Sequence, residues 1–470
     1  EALYLLKFIL HMTLIKSISG IRGTIGGAVG TNLTPIDTVK FAAAYGTWIK
    51  QQRTKENYRV VVGRDARISG SMVQNLVMNT LIGLGIDVID LDLSTTPTVE
   101  IAVPLEKANG GIIVTASHNP KQWNALKLLD QNGEFLNAEH SQRVLDIAEA
   151  DAMEFADVDD LGVITENQAY VDIHIDEVLD LEFVNVKAIS DCKFKVVVDA
   201  VNSTGGIAIP LLLERLGVEA VKIHCEPNGQ FPHNPEPLKQ HLTDLSEKVV
   251  SSNADFGIAV DPDVDRLAFM DEKGIMFGEE YTLVACADYI LSQRPGNTVS
   301  NLSSTRALRD VTEKHGGTYT ASAVGEVNVV NAMKATQAVI GGEGNGGIIF
   351  PESHYGRDAL VGVALFLSLV AERKIAVSTL RAGYPSYFMS KKKIDLNPSI
   401  DVDAILEAME TKYAHEQIST IDGVKIDFPT EWVHLRKSNT EPIIRIYTEA
   451  PSQKKADVLA DNIIEEIKNI

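Results

Sequence analysis

The chain has 470 residues, 45% apolar and 23% charged, and its 43 Lys and Arg against 64 Asp and Glu leave a formal net charge of −21. That acidity argues against nucleic acid, whose phosphates need a basic face, and against anionic membranes; a small phosphorylated ligand remains compatible, because a local cluster of Arg and Lys outweighs the global field at short range. The length exceeds a single hydrophobic core and the composition is that of ordinary globular domains, so three or four domains are expected.

The chain opens on "EALYLLKFILH" (1–11), locally apolar but without a basic leader or a small-residue cleavage site, and is read as an extension upstream of Met12. No apolar run approaches membrane-spanning length. The three cysteines, Cys192, Cys225 and Cys286, are widely spaced without metal-ligand spacing, which suits a reducing cytoplasm and no disulfides.

A repeated unit follows. "YRVVVGRDARISG" (58–70) reads as an apolar strand ending in a polar loop, then a helix, then a Gly turn into the strand of "GLGIDVIDLD" (83–92). "FKVVVDAVNSTGG" (194–206) with "RLGVEAVKIH" (215–224) repeats the form, and "GNTVSNLSSTRAL" (296–308) with "KHGGTYTASAVGE" (314–326) is a weaker third copy. Each is a βαβ unit of a mostly parallel sheet, with ligands expected beyond the carboxyl ends of the strands. From about Arg381 the pattern changes to strands such as "IIRIYTEA" (443–450) and a final helix (452–470) whose apolar positions are Val458, Ile463, Ile464 and Ile467, a small α+β domain.

Four polar loops interrupt this frame. In "GGIIVTASHNPKQWNALKLL" (110–129) an apolar strand runs into Thr-Ala-Ser-His-Asn-Pro, with Lys127 beyond. Asn119-Pro120 is a turn signal in itself, so the stretch is a plain strand and turn unless Ser117 carries chemistry. "AVDPDVDRLAF" (259–269) alternates Asp261, Asp263 and Asp265 before Arg266. Carboxylates so crowded call for a cation, and oxygen ligands select Mg²⁺ or Ca²⁺. An EF-hand would need Gly where Arg266 stands, although Glu272 falls at its twelfth place; a solvated acidic turn is the plainer alternative. In "IGGEGNGGIIF" (340–350), Gly342, Gly344 and Gly347 match a dinucleotide fingerprint formally, but "IIF" reads as strand where that motif needs helix. The turn fits a polyhydroxylated ligand better, with Glu343 and Asn345 bonding hydroxyls, or else is a surface hairpin. "LRKSNTEPIIRIY" (435–447) offers Arg436, Ser438, Asn439, Thr440 and Arg445 to an anion, or is a capped turn.

The order of these loops, with "SGIRG" (19–23) ahead of them, resembles the α-D-phosphohexomutase family over nearly the whole chain from Met12. The resemblance implies three similar α/β domains with mixed, mostly parallel sheets and a smaller α+β C-terminal domain around a central active-site cleft. The corresponding boundaries are 12–162, 163–272, 273–379 and 380–470. It implies that Ser117 is a phosphoserine, that Asp261, Asp263 and Asp265 bind Mg²⁺ together with it, that Glu343 reads sugar hydroxyls, and that the fourth loop holds the non-reacting phosphate. The reaction implied moves a phosphoryl group between O1 and O6 of a hexose phosphate, with a hexose 1,6-bisphosphate as intermediate and activator. Lys127 and His118 are the acid and base candidates, and Arg22 and Arg64 could stabilise phosphoryl oxygens; His118 could equally be a structural turn residue.

Departures from the family pattern narrow the branch. The metal loop lacks the glycines many relatives place between the aspartates, the sugar loop has Asn345 and Gly347 where many have Ser and His, and "VGEVN" (324–328) lacks a common basic residue. With "SNTEP" and "HYGRDAL" (354–360) these look like the archaeal-type phosphoglucosamine mutase branch, so conversion of glucosamine 6-phosphate to glucosamine 1-phosphate is expected, with glucose and mannose phosphates as alternatives. An aspartate-dependent phosphatase would not need Ser117, and a silent phosphosugar sensor would need neither Ser117 nor the metal. The expected partner is a small phosphosugar, the enzyme a monomer or homodimer.

Overall fold

The computed structural model describes residues 12–17, 20–52, 57–395, 401–437 and 443–469. The chain divides into two compact units, Glu1–Thr282 with Gly346–Ser378 and Leu283–Asn345 with Thr379–Ile470. The third expected domain contributes to both, because its helix Ala359–Arg373 falls in the first unit. The 1–11 extension lies outside the described residues.

The first unit holds two sheets. One comprises β1 (Ile15–Ser17), β2 (Gly20–Thr24), β3 (Tyr58–Arg64), β4 (Ile86–Leu93), β5 (Gly110–Val114), β6 (Trp123–Leu129) and β7 (Ile164–Glu166), in the order β1-β2-β6-β5-β3-β4-β7. β5, β3, β4 and β7 run parallel, while β6, β2 and β1 add antiparallel edges. Runs such as Val60-Val61-Val62 and Ile112-Ile113-Val114 are wholly buried because helices cover both faces of the parallel part. The other sheet joins β8 (Lys195–Asp199), β9 (Glu219–Ile223), β10 (Phe256–Val260) and β11 (Leu267–Met270) in the order β11-β10-β8-β9, parallel except for the β10–β11 hairpin. Ser117 follows β5 and the aspartate loop joins β10 to β11, so both lie beyond the carboxyl ends of parallel strands, where such sheets bind ligands.

In the second unit β12 (Asn297–Asn301) lies between β13 (Tyr319–Ser322) and β14 (Ala338–Glu343), all parallel. After β15 (Gly347–Ile349), which belongs to the first unit, come β16 (Phe388–Asp395), β17 (Gln417–Ser419), β18 (Val424–Asp427), β19 (Trp432–Lys437) and β20 (Ile443–Ala450). The last five form an antiparallel sheet in the order β16-β20-β19-β18-β17. The terminal helix Gln453–Lys468 starts at Ser452, whose side chain accepts from the Lys455 amide, a regular N-cap. Its buried stripe is Ala456, Ala460, Ile463 and Ile467. Val458 is 49% exposed, correcting the expectation that it lies on the apolar face: five positions before Ile463 it falls on another side of the helix.

A buried tyrosine ties the first sheet to its helix layer. Tyr45, on the helix Pro35–Gln52, donates its hydroxyl to the Leu129 carbonyl at 2.7 Å and lies 3.2 Å from that of Gly111. Gly110 is required beside it, since a Cβ there would overlap the hydroxyl. Tyr45→Phe is therefore expected to destabilise the β5–β6 pair by about 1 kcal/mol, leaving buried carbonyls short of a donor; faster hydrogen exchange of the β5–β6 amides checks this.

Candidate active site

Ser117 sits in a backbone conformation that L-residues avoid, with φ at 48°. The local bonds explain how it is held. Its amide donates to Thr115 Oγ1 (2.9 Å), and Thr115 Oγ1 donates to the Asp65 carboxylate (2.7 Å). Its Oγ donates to Asp261 Oδ2 at 2.8 Å and lies 3.3 Å from His118 Nδ1. The phosphoserine candidate and the first aspartate of the metal loop are thus in direct contact.

Asp261, Asp263 and Asp265 are fully buried, with one oxygen of each within 4.8 Å of the others. Between the last two, Val264 has φ 65°, a left-handed conformation that strains a β-branched residue by about 1–2 kcal/mol. Asp261 Oδ1 accepts the amides of Asp265 and Arg266. Asp263 Oδ2 accepts from Lys127 Nζ (2.7 Å) and Thr96 Oγ1 (2.6 Å), and Asp265 Oδ2 from Arg357 (2.7 Å) and Lys127 (3.1 Å). The other two oxygens, Asp263 Oδ1 and Asp265 Oδ1, are buried and accept no hydrogen bond among the described residues. A buried carboxylate oxygen without a donor is costly. Two of them beside Asp261 fit a hard divalent cation, with the outer oxygens already oriented by neighbours.

Electrostatics divide the titratable groups. Burial opposes charge on Asp265, yet Arg357, Lys127 and Arg266 outweigh it and hold the carboxyl well below its usual range. Burial likewise opposes the charge on Lys127, but Asp263 and Asp265 keep it a cation, with its pKa raised. Burial and the neighbouring Arg266, against Asp265, push the half-buried His118 well below the ordinary histidine range; Arg357 and Arg22 add to this. His118 is therefore a neutral acceptor near pH 7. Burial, with Asp265 and Asp263 beside it, pushes Asp261 up.

The residues singled out in the sequence separate here. Ser117, His118, Lys127 and the aspartates come together. Arg22 projects from β2 close enough to influence His118, and Arg266 is paired with Glu236 Oε1 at 3.1 Å. The Arg64 guanidinium is held by Asp92 (2.6 Å), Gln74 (2.8 Å) and the Asp65 carbonyl. Three neighbours escaped the sequence reading. Arg67 stands three residues beyond Arg64, Arg357 lies in the "HYGRDAL" motif, and Thr96 had no local signal.

In the second unit, Glu343 ends β14 and is buried. Its Oε1 accepts from Asn301 Nδ2 (2.9 Å) and the Gly325 amide (3.3 Å), and Asn345 Nδ2 lies 3.5 Å from Oε2. Arg436 and Arg445 are direct cross-strand partners, and Lys393 faces Arg445 from the next strand. Three like charges in one row repel; Asp422, 2.9 Å from Arg436 Nε, and Asp395, 3.3 Å from Lys393 Nζ, offset part of that repulsion. The row favours an anion. Ser438, Asn439 and Thr440 lie outside the described residues, as does Ser19 of "SGIRG".

Comparisons with known proteins agree with this geometry. Family models described as phosphoglucomutase/phosphomannomutase alpha/beta/alpha domains I, II and III match residues 14–154, 172–274 and 278–387, and the corresponding C-terminal domain matches 391–466. A phosphoglucomutase/phosphomannomutase of Thermococcus kodakarensis is 35% identical over 92% of this chain and 95% of its own. A phosphoglucosamine/phosphogalactosamine mutase of Sulfurisphaera tokodaii is 30% identical over 95% and 98%. The crystal structure of a phosphoglucomutase/phosphomannomutase family protein from Burkholderia thailandensis superposes with a TM-score of 0.82 at 25% identity, covering 97% of this chain and 98% of that one. The chain belongs to the α-D-phosphohexomutase family: it is a phosphohexomutase, an intramolecular phosphotransferase. No helix among the described residues is long and apolar enough to cross a membrane.

Thr96→Val removes the hydroxyl that orients Asp263 while keeping the side chain's shape. Divalent-cation affinity, titrated with Mn²⁺ as a paramagnetic probe, is expected to fall about 10–100-fold.

Proposed function

We propose that the protein interconverts hexose 1- and 6-phosphates through a phosphoserine at Ser117, with Mg²⁺ held by Asp261, Asp263, Asp265 and the phosphoryl group, and with glucosamine phosphate as preferred substrate. The observation that carries this reading is the contact of Ser117 Oγ with Asp261, beside two carboxylate oxygens that lack hydrogen-bond donors. A hydroxyl placed there serves as a phosphoryl carrier. The cation, when bound, neutralises phosphoryl charge, so that transfer becomes positioning plus electrostatics.

The chain's own groups divide the remaining work. The P–Oγ bond of phosphoserine breaks as a bond forms from phosphorus to the free sugar hydroxyl oxygen. Neutral His118 takes the hydroxyl proton and Lys127, the local cation, gives one to the departing Oγ. The product is a hexose 1,6-bisphosphate, and transfer of its other phosphoryl group back to Ser117 completes the exchange. The same bisphosphate loads an unphosphorylated enzyme. Glu343 reads sugar hydroxyls, while Arg436 and Arg445, with Ser438, Asn439 and Thr440, hold the phosphate that does not react.

Ser117→Ala is expected to abolish mutase turnover with the fold intact, measured by coupled assay and circular dichroism after priming with hexose 1,6-bisphosphate. Near wild-type turnover would remove Ser117 from the mechanism.

Substrate preference rests on C2, where glucosamine carries an amine, glucose a hydroxyl, and mannose the inverted hydroxyl. Glu343 is expected at O3 and O4, so discrimination falls to neighbours such as Asn345, at about 0.5–1.5 kcal/mol for one hydrogen bond, roughly tenfold at most. Measured kcat/KM values should overlap for the three sugar phosphates, with glucosamine highest. Glucosamine as the poorest would overturn the preference, and a Glu343→Ala loss confined to one sugar would overturn the role of Glu343.

A further inference from the structure

Arg67 is a long cation with its side chain wholly buried, and it makes no contact that the reading above uses. Its Nε pairs with Asp65 Oδ2 at 2.9 Å, and its amide donates to Asp65 Oδ1 at 2.9 Å. The rest of its guanidinium converges on the serine loop. Nη2 donates to the carbonyls of Ser117 (2.5 Å) and Asn119 (2.6 Å), and Nη1 to those of Pro120 (2.8 Å) and Trp123 (3.0 Å). Phe231 covers its face, with the ring centroid 5.1 Å away. One planar fork thus gathers four carbonyls, three from the loop after β5 and one from the first residue of β6, which a point-charge ammonium cannot do.

Asp65 completes a second strap, because it accepts from Thr115 Oγ1, which in turn accepts the Ser117 amide. The peptide groups on both sides of Ser117 are therefore anchored to a single ion pair, one through its carbonyl and one through its amide. Between these anchors the residue adopts its left-handed conformation. Such strain persists only where the surroundings over-determine it.

We propose that Arg67, acting with Asp65 and Thr115, is a positioning residue for phosphoryl transfer: it fixes the left-handed backbone of Ser117 and so aims the phosphoryl carrier. The inference rests on the phosphoserine reading. A released loop would let Ser117 relax to ordinary dihedrals and displace Oγ, and a misplacement on the order of 1 Å costs about 100-fold in rate. The groups proposed to bind the distal phosphate lie in the other unit, so substrate affinity should not change.

The test is a single turnover on the full-length enzyme. Wild type, Arg67→Lys, Arg67→Met and Thr115→Val are loaded at Ser117 with labelled phosphoryl from a hexose 1,6-bisphosphate, mixed with hexose 6-phosphate and quenched on the millisecond scale. The amplitude reports loaded, folded enzyme; the rate constant reports aim. Arg67→Met should lower the rate constant about 100-fold at unchanged KM. Arg67→Lys should fall nearly as far, although it keeps the charge. A purely structural role would lower the amplitude alone, and a wild-type rate constant in the loaded fraction of Arg67→Met overturns the inference. Should Arg67→Met fail to fold, Thr115→Val decides: it cuts the other strap without altering charge, and an unchanged rate constant there overturns the inference equally. A wild-type enzyme that accepts no phosphoryl group on Ser117 overturns the phosphoserine reading and this inference with it; a loaded wild type with unimpaired variants overturns this inference alone.

Discussion

Mutual repulsion among Asp261, Asp263 and Asp265 is the constraint around which the first unit is arranged. The three are wholly buried, where charge–charge energies are several times those in water. Two cations and a hydroxyl hold the outer oxygens: Lys127 from β6, Arg357 from the segment before the helix Ala359–Arg373, and Thr96 from the start of the helix Thr96–Leu105. Removing any one leaves a buried carboxylate short of its partner, which is the expensive way to break a buried ion pair. This gives a physical reason for Gly346–Ser378 to cluster with the first unit: the segment carries a counter-charge of the metal loop. The Ala359 amide reinforces the tie by donating to the Val264 carbonyl.

The same compensation leaves the inner oxygens of Asp263 and Asp265 bare. Compensation and function are therefore one arrangement. The neighbours offset charge on the buried triad, and on Asp263 and Asp265 they occupy one oxygen of each carboxylate and leave the other to a cation. Within the serine and aspartate loops, Ser117 and Val264 carry left-handed backbone strain. Each is held by hydrogen bonds from segments far away in sequence, so the strain is borne by the fold as a whole.

Much of this was legible in the chain, for reasons that also explain what was not. The strands were readable because runs such as Val60–Val62 have one burial state along their length, and the loops because turn residues and aspartates repeat at short spacing. Ser117 and the triad stood out within windows of a few residues. Arg67, Thr96 and Arg357 did not, because their partners lie 50, 167 and 92 residues away. Arg64 and Arg67 share one short stretch and one charge; which of them turns toward Ser117 depends on where β3 stops, at Arg64, and on how the chain bends after it. Val458 was misread for the opposite reason: it is apolar, but helical phase rather than residue type decides which side it faces.

The row of Lys393, Arg445 and Arg436 addresses a problem set by composition. A chain with net charge −21 repels phosphate at long range, beyond the reach of any one side chain. At about 10 Å or less, local charge takes over because salt screens the rest. Three cations are aligned across β16, β20 and β19, with Asp395 beside Lys393 and Asp422 beside Arg436, so the row keeps a local excess of positive charge. Asp422 neutralises part of the row and also accepts the Val324 amide, one residue before the Gly325 amide that reaches Glu343. The backbone of Val324 and Gly325 thus links the carboxylate beside Arg436 to Glu343. Two groups suited to the proposed ligand, an anion-favouring row and a carboxylate for hydroxyls, are thus tied together by backbone within this unit.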